Sequence, residues 1–128
     1  MSEPEQDFHA VHINDVEIEK SDYGYTKHLM HSKGKGFPSI QVRHWGPETD
    51  IDVHRHPYNE MFYVLEGEVE MGDKVYPAGS CIYIGRATFY GPTRAPKGAT
   101  VLRYADGPTK AYPHGAPNPT GAFKGAKE

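Results

Sequence analysis

The 128 residues, 37% of them hydrophobic, are enough for one compact domain and leave no room for a second of ordinary size. Fourteen basic and 17 acidic residues give a formal net charge of −3 with no basic block, so nothing is offered to a phosphate backbone and no nucleic-acid partner is expected. No apolar stretch nears the roughly 18 residues needed to cross a bilayer, and the polar start "MSEPEQDFHA" has neither a basic region nor an apolar core, so neither membrane span nor signal peptide is expected and the expected location is the cytoplasm.

In chain order, residues 1–7 carry three acids and no aliphatic residue, which predicts an N-terminal tail. Residues 8–106 show almost no helical periodicity. Short β-branched and aromatic runs recur instead, separated by Gly, Pro, Asn and Asp turns. The predicted strands are "AVHIN" at 10–14, "TKHLMH" at 26–31, "SIQVRHW" at 39–45, "DVHRH" at 52–56, "MFYVLE" at 61–66, "EVEM" at 68–71, "KVYP" at 74–77, "CIYI" at 81–84 and "TVLRYA" at 100–105. Gly72 and Asp73 suit a two-residue hairpin with the glycine at positive φ. Cys81, the single cysteine, excludes an intrachain disulfide and is expected to fill core. Residues 107–128 hold four prolines and four glycines, too many for an element interior, and read as a second tail. The pattern is that of an all-β sandwich or barrel without internal repeats.

Chemistry concentrates in "HRHPYNEMFYVLEGE", residues 54–68. On a strand, His54 and His56 project from one face and Arg55 from the other. Glu60 follows the turn residues Pro57, Tyr58 and Asn59, where its carboxylate can swing in beside the imidazoles. Two nitrogens and one oxygen on one side of an ion suit iron(II), zinc, manganese or nickel, and leave opposite coordination positions for water or substrate. Phe62 and Val64 share the face of Glu60 and are candidates for an apolar wall, which core packing explains equally well.

The joint spacing H-x-H-x(3)-E-x(6)-G, from His54 through Glu60 to Gly67, continues into "GDKVYPAGS" with a P-x-G turn at Pro77 and Gly79. Here the sequence resembles the cupin superfamily over about residues 40–105. The resemblance implies a single-domain, RmlC-like, double-stranded β-helix, or jelly-roll barrel, with one divalent metal per chain inside its mouth, usually in a homodimer. Two positions depart from the family pattern. Glu48 stands where a glycine usually opens the first motif, with Gly46 displaced by two. Tyr90 falls where such proteins usually carry a fourth ligand, a histidine, and no histidine lies between His56 and His114.

Three roles are open to Tyr90: a phenolate ligand, an acid, base or hydrogen-bond donor beside the metal, or a filler for the missing imidazole. His44 shares a face with Ile40 and Val42; if that face is the interior, it is a pocket residue or a remote fourth ligand, and otherwise a hydrogen-bonded structural histidine. His28 and His31 point to opposite faces of one strand, and His9, His12 and His114 lie near or within the tails. Tyr58 either overhangs the site or faces solvent.

The expected function is that of a metal-dependent enzyme acting on a small oxygen-containing substrate. Iron(II) dioxygenation of a diketone, hydroxyketone or catechol-like ring is favoured, with His54, His56 and Glu60 holding the ion and Tyr90 or His44 moving a proton. Zinc, nickel or manganese serving an isomerase, lyase or cyclase is the alternative within catalysis. A ligand-binding sensor without turnover is the alternative outside it.

Overall fold

The computed structural model describes residues 8–30 and 38–107. The expected tails lie outside these residues apart from Gly107, as do His31 and His114.

Among the described residues, nine strands form one curled antiparallel sheet: β1 (Ile18–Lys20), β2 (Gly24–Met30), β3 (Ser39–Trp45), β4 (Asp50–Ile51), β5 (Glu60–Met71), β6 (Lys74–Pro77), β7 (Cys81–Ile84), β8 (Thr93–Arg94) and β9 (Ala99–Ala105). Their order is β1-β2-β3-β9-β5-β8-β4, with β6 and β7 also paired to β5. The long β5 closes the barrel. Its first half lies between β9 and β7 and its second half pairs with β6 and β8.

A bulge between Val64 and Glu66 lets β5 serve both halves. Before it, the even residues Glu60, Phe62 and Val64 are buried; after it, the odd residue Val69 is. The sequence expectation of two strands broken at Gly67 is therefore corrected to one bent strand. Gly67 has φ of 73°, and a Cβ there would meet the Gly98 carbonyl oxygen at 2.1 Å, so only glycine passes. The hairpin at Gly72 and Asp73 is as expected, with Gly72 at φ of 65°.

Four rows of paired residues run across β3, β9 and β5 on the inner face: Ser39–Ala105–Glu60, Gln41–Arg103–Phe62, Arg43–Val101–Val64 and Trp45–Ala99–Gly67. The barrel is thus polar at one end and apolar at the other. Trp45, Phe62, Val64, Val69, Ile84, Ala95, Ala99 and Val101 form the core. Each large member contributes about 1.5–3 kcal/mol by leaving water.

Other differences from the sequence reading have local causes. "AVHIN" is not a strand: residues 13–15 form a 3-10 turn because the His12 ring accepts from the Asn14 backbone N–H, a local bond that competes with strand pairing. "DVHRH" is not a continuous strand either. His54 alone makes a bridge, to Tyr90, and Pro57 ends any pairing beyond it. β1, β4 and β8 are too short to show a period. Cys81 is exposed rather than core, because it pairs with Tyr63 on the outer face while Ile82 and Ile84 turn inward.

Candidate metal centre

Main-chain pairing to distant strands holds the segment carrying His54, His56 and Glu60. His54 and Tyr90 exchange both backbone bonds, at 3.1 and 2.9 Å, and the Ala87 N–H donates to the His56 carbonyl at 2.8 Å. The turn before Glu60 is pinned by Asn59, whose backbone N–H and side-chain amide donate to the two carboxylate oxygens of Asp106 at 3.0 and 2.8 Å. The Asn59 carbonyl accepts from the Asp106 N–H in return. Glu60 therefore enters β5 with its side chain inside the barrel at 1% exposure.

The two imidazoles meet edge to face, with centroids 4.8 Å apart and planes at 84°. The pairing expected of a regular strand is thus reached from an irregular segment. His54 Nδ1 lies 2.7 Å from the Asp52 carbonyl, which can only accept, so Nδ1 carries the proton and Nε2 a lone pair. That lone pair accepts from the Tyr90 hydroxyl at 3.0 Å. His56 Nε2 stands 3.7 Å from Glu60 Oε1, and its Nδ1 is 3.1 Å from the Tyr58 hydroxyl. Tyr58 stacks on His56 at 5.0 Å and 18°, so it belongs to the site rather than to solvent.

Arg103 holds the other oxygen of Glu60. Its Nε and Nη2 donate to Oε2 at 2.8 and 2.6 Å, and Nη2 also donates to the Tyr58 hydroxyl at 3.0 Å. Gln41 Oε1 accepts from Arg43 Nε at 2.9 Å and from Arg103 Nη1 at 3.5 Å. This turns the Gln41 amide nitrogen toward His28 Nδ1 at 3.2 Å, and His28 Nε2 then donates to Glu19 Oε1 at 2.6 Å. A directed chain runs from exposed β1 to the interior carboxylate.

Sequence reasoning missed Arg43, Arg103 and Gln41. Their signal was present in β3 and β9, whose alternation places them on the inner face beside Trp45 and Val101. The corresponding correction concerns His44. It faces outward, stacked on Tyr25 at 4.3 Å and bonded to Thr100 Oγ1 at 3.1 Å, and is not brought to His54 and His56.

Burial lowers the pKa of both imidazoles, against the Asp52 carbonyl and Glu60 for His54 and against Glu60 for His56, which falls to about 3. Both are neutral at pH 7. For Glu60, burial works toward protonation, but Arg103 and then His56 outweigh it and the carboxyl sits below its usual range. Burial, then Glu60, raises Tyr90 well above the usual phenol value, so its hydroxyl keeps its proton. Tyr90 also borders an open pocket of about 340 Å³ with Met71, Tyr76, Ile82 and Tyr83.

This donor set fits a divalent cation chemically: two neutral imidazoles and an ionised carboxylate whose Oε1 is buried without a hydrogen-bond partner. Among the described residues, however, no group of three or more His, Cys, Asp or Glu side chains stands in a ready metal-binding arrangement.

Comparison with known proteins agrees with the fold. A family model described as the ChrR cupin-like domain matches residues 6–110. A RmlC-like cupin from Shewanella frigidimarina superposes with a TM-score of 0.68 at 20% identity, covering 83% of this chain and 96% of that one. Ectoine synthase from P. lautus gives 0.67 at 18% identity, covering 79% of each chain. Hydroxypropylphosphonic acid epoxidase from S. wedmorenis gives 0.61 at 20% identity, covering 77% of this chain and 59% of that one. No curated protein matches the sequence significantly.

Proposed function

Since this chain belongs to the ChrR cupin-like family, we propose that it is a metal-dependent cupin enzyme acting on a small oxygen-containing organic substrate, with iron(II) dioxygenase-type chemistry. The observation that carries this reading is the buried, unpartnered Oε1 of Glu60 beside His56 Nε2. His54, His56 and Glu60 would hold one divalent ion per chain. The structurally similar epoxidase is known in an Fe(II) form, which supports iron over zinc, manganese or nickel. A bound iron ion supplies Lewis acidity toward a chelating substrate and one-electron chemistry toward dioxygen.

The chain's own residues do the rest. Arg103 keeps Glu60 ionised and oriented. The Asp52 carbonyl fixes the His54 tautomer so that Nε2 faces inward. Tyr90 holds a proton at its hydroxyl, within reach of the same nitrogen, and serves as the proton donor. Phe62 and Val64, buried on the same face of β5 as Glu60, would form the apolar wall beside it.

The test is anaerobic iron loading followed by oxygen uptake with a diketone, a hydroxyketone and a catechol. Iron-dependent uptake with one of them is expected. Turnover without oxygen in zinc, nickel or manganese protein would instead identify an isomerase, lyase or cyclase, and a protein that takes up no divalent ion overturns the proposal.

A ligand-binding role without turnover is favoured by one observation, the hold of Arg103 on Glu60. Glu60→Gln separates the two: it ends turnover in the enzyme and leaves ligand affinity intact in the sensor. The proposal includes a homodimer in the cytoplasm. The outer face of β5, β7 and β9 supports the dimer, because Met61, Tyr63, Tyr83 and Tyr104 are exposed there. No helix among the described residues is long and apolar enough to cross a membrane.

A further inference from the structure

Charges inside the barrel do not cancel. Arg103 is matched by Glu60. Arg43, one row further along the same inner face of β3, has no carboxylate partner among the described residues. Its Nε is committed to Gln41 Oε1, which fixes the plane of the guanidinium. No described residue accepts from its two terminal nitrogens. The neighbours on that face, Gln41 and Trp45, are buried, whereas Arg43 is largely but not fully buried.

The inner face thus carries two guanidinium groups, Arg43 and Arg103, and the Glu60 carboxylate is taken up by Arg103. Desolvation first, and Arg103 second, lower Arg43 to about 10 against the weaker opposing pull of Tyr90 and Glu60. A cation in that position lacks a counter-charge. A guanidinium with a fixed plane and free terminal nitrogens matches a carboxylate through two parallel hydrogen bonds.

We propose that Arg43 anchors a carboxylate of the substrate, so that the substrate's adjacent oxygen faces His54, His56 and Glu60. The substrate class is then a small carboxylic acid with a neighbouring keto or hydroxyl oxygen. The orientation rests on the reading of His54, His56 and Glu60 as the reacting centre; the anion site itself does not require a metal.

The experiment is calorimetric titration of pyruvate and its neutral isostere pyruvamide into wild type, Arg43→Gln and Arg43→Lys, each metal-free and zinc-loaded. Metal-free wild type should prefer pyruvate by about tenfold or more, as expected for a charge-assisted pair. Arg43→Gln should lose that preference. Arg43→Lys, which keeps the charge without the fork, should bind pyruvate more weakly than wild type, and it carries the test should the glutamine variant not fold. Equal binding of the two probes, binding of neither, or unchanged preference in the variants overturns the proposal. Zinc uptake is read separately: its absence with the pyruvate preference intact removes the metal centre and leaves the Arg43 site standing.

Discussion

Arg103 Nη2 lies 2.6 Å from Glu60 Oε2, and the two side chains are 2% and 1% exposed. Such a pair is costly to break from one side, because the remaining charge is left in the barrel without water or partner. Arg103→Met should cost about 3–5 kcal/mol in urea unfolding. The double variant Arg103→Met, Glu60→Leu should recover most of that loss. A single variant as stable as wild type would show that the pair is solvated in solution.

Tyr90→Phe removes the hydroxyl on His54 Nε2 while keeping the ring that packs against the core. The expected result is a fold and a metal content like wild type with turnover reduced by about 10²-fold or more, as for loss of a general acid. If metal content falls with activity, the hydroxyl is a ligand rather than a proton donor.

The imidazoles make the metal-free protein acid-sensitive. His56 titrates near 3 when folded against about 6.5 when unfolded, and His54 is lowered in the same direction. Between those values the unfolded chain binds more protons, so stability falls as pH drops from about 6.5 toward 3. His56 alone should remove about 2 kcal/mol between pH 7 and pH 5. Urea midpoints at the two pH values check this, and His56→Phe should flatten the difference. Midpoints that do not move with pH in wild type refute the assignment.

Gly67→Ala places a Cβ against the Gly98 carbonyl at a positive φ. The backbone conformation alone should cost about 1–3 kcal/mol, with the close contact adding to it. Thermal unfolding measures the effect, and a neutral substitution would mean that the bend in β5 is not held there.

Tyr63→Glu puts a charge at the centre of the exposed apolar face, between Leu102 and Cys81. Light scattering should report two chains per particle for wild type and one for the variant. A monomeric wild type removes the dimer from the proposal.

Strands β3, β6, β7 and β9 were legible because β-branched and aromatic residues cluster in short runs between turn residues: β3, β6 and β7 have the limits expected of them, and β9 begins one residue earlier. The spacing of His54, His56 and Glu60 was legible for a different reason, since three donor residues in a short segment stand out against any background. What could not be read was which face of β3 looks inward. Ile40, Val42 and His44 are more apolar than Gln41, Arg43 and Trp45, yet the second set looks inward, and the choice is made by pairing with β9, a strand more than 50 residues away. A polar interior hides from a reading that equates burial with hydrophobicity. Arg43, Arg103 and Gln41 were missed on that account, and His44 was given their place.

β1 buries none of its three residues, yet Glu19 on it starts the chain of donors and acceptors that passes through His28 and Gln41 to the two guanidinium groups. Gln41 cannot rotate its amide without turning an NH₂ toward both of them, so the polarity of the whole path is set from within and read out at the rim. An edge strand with no share in the core therefore acts as the outer terminal of the interior's electrostatics. Natural variation at Glu19 should track the chemistry of the chamber rather than the tolerance of the surface.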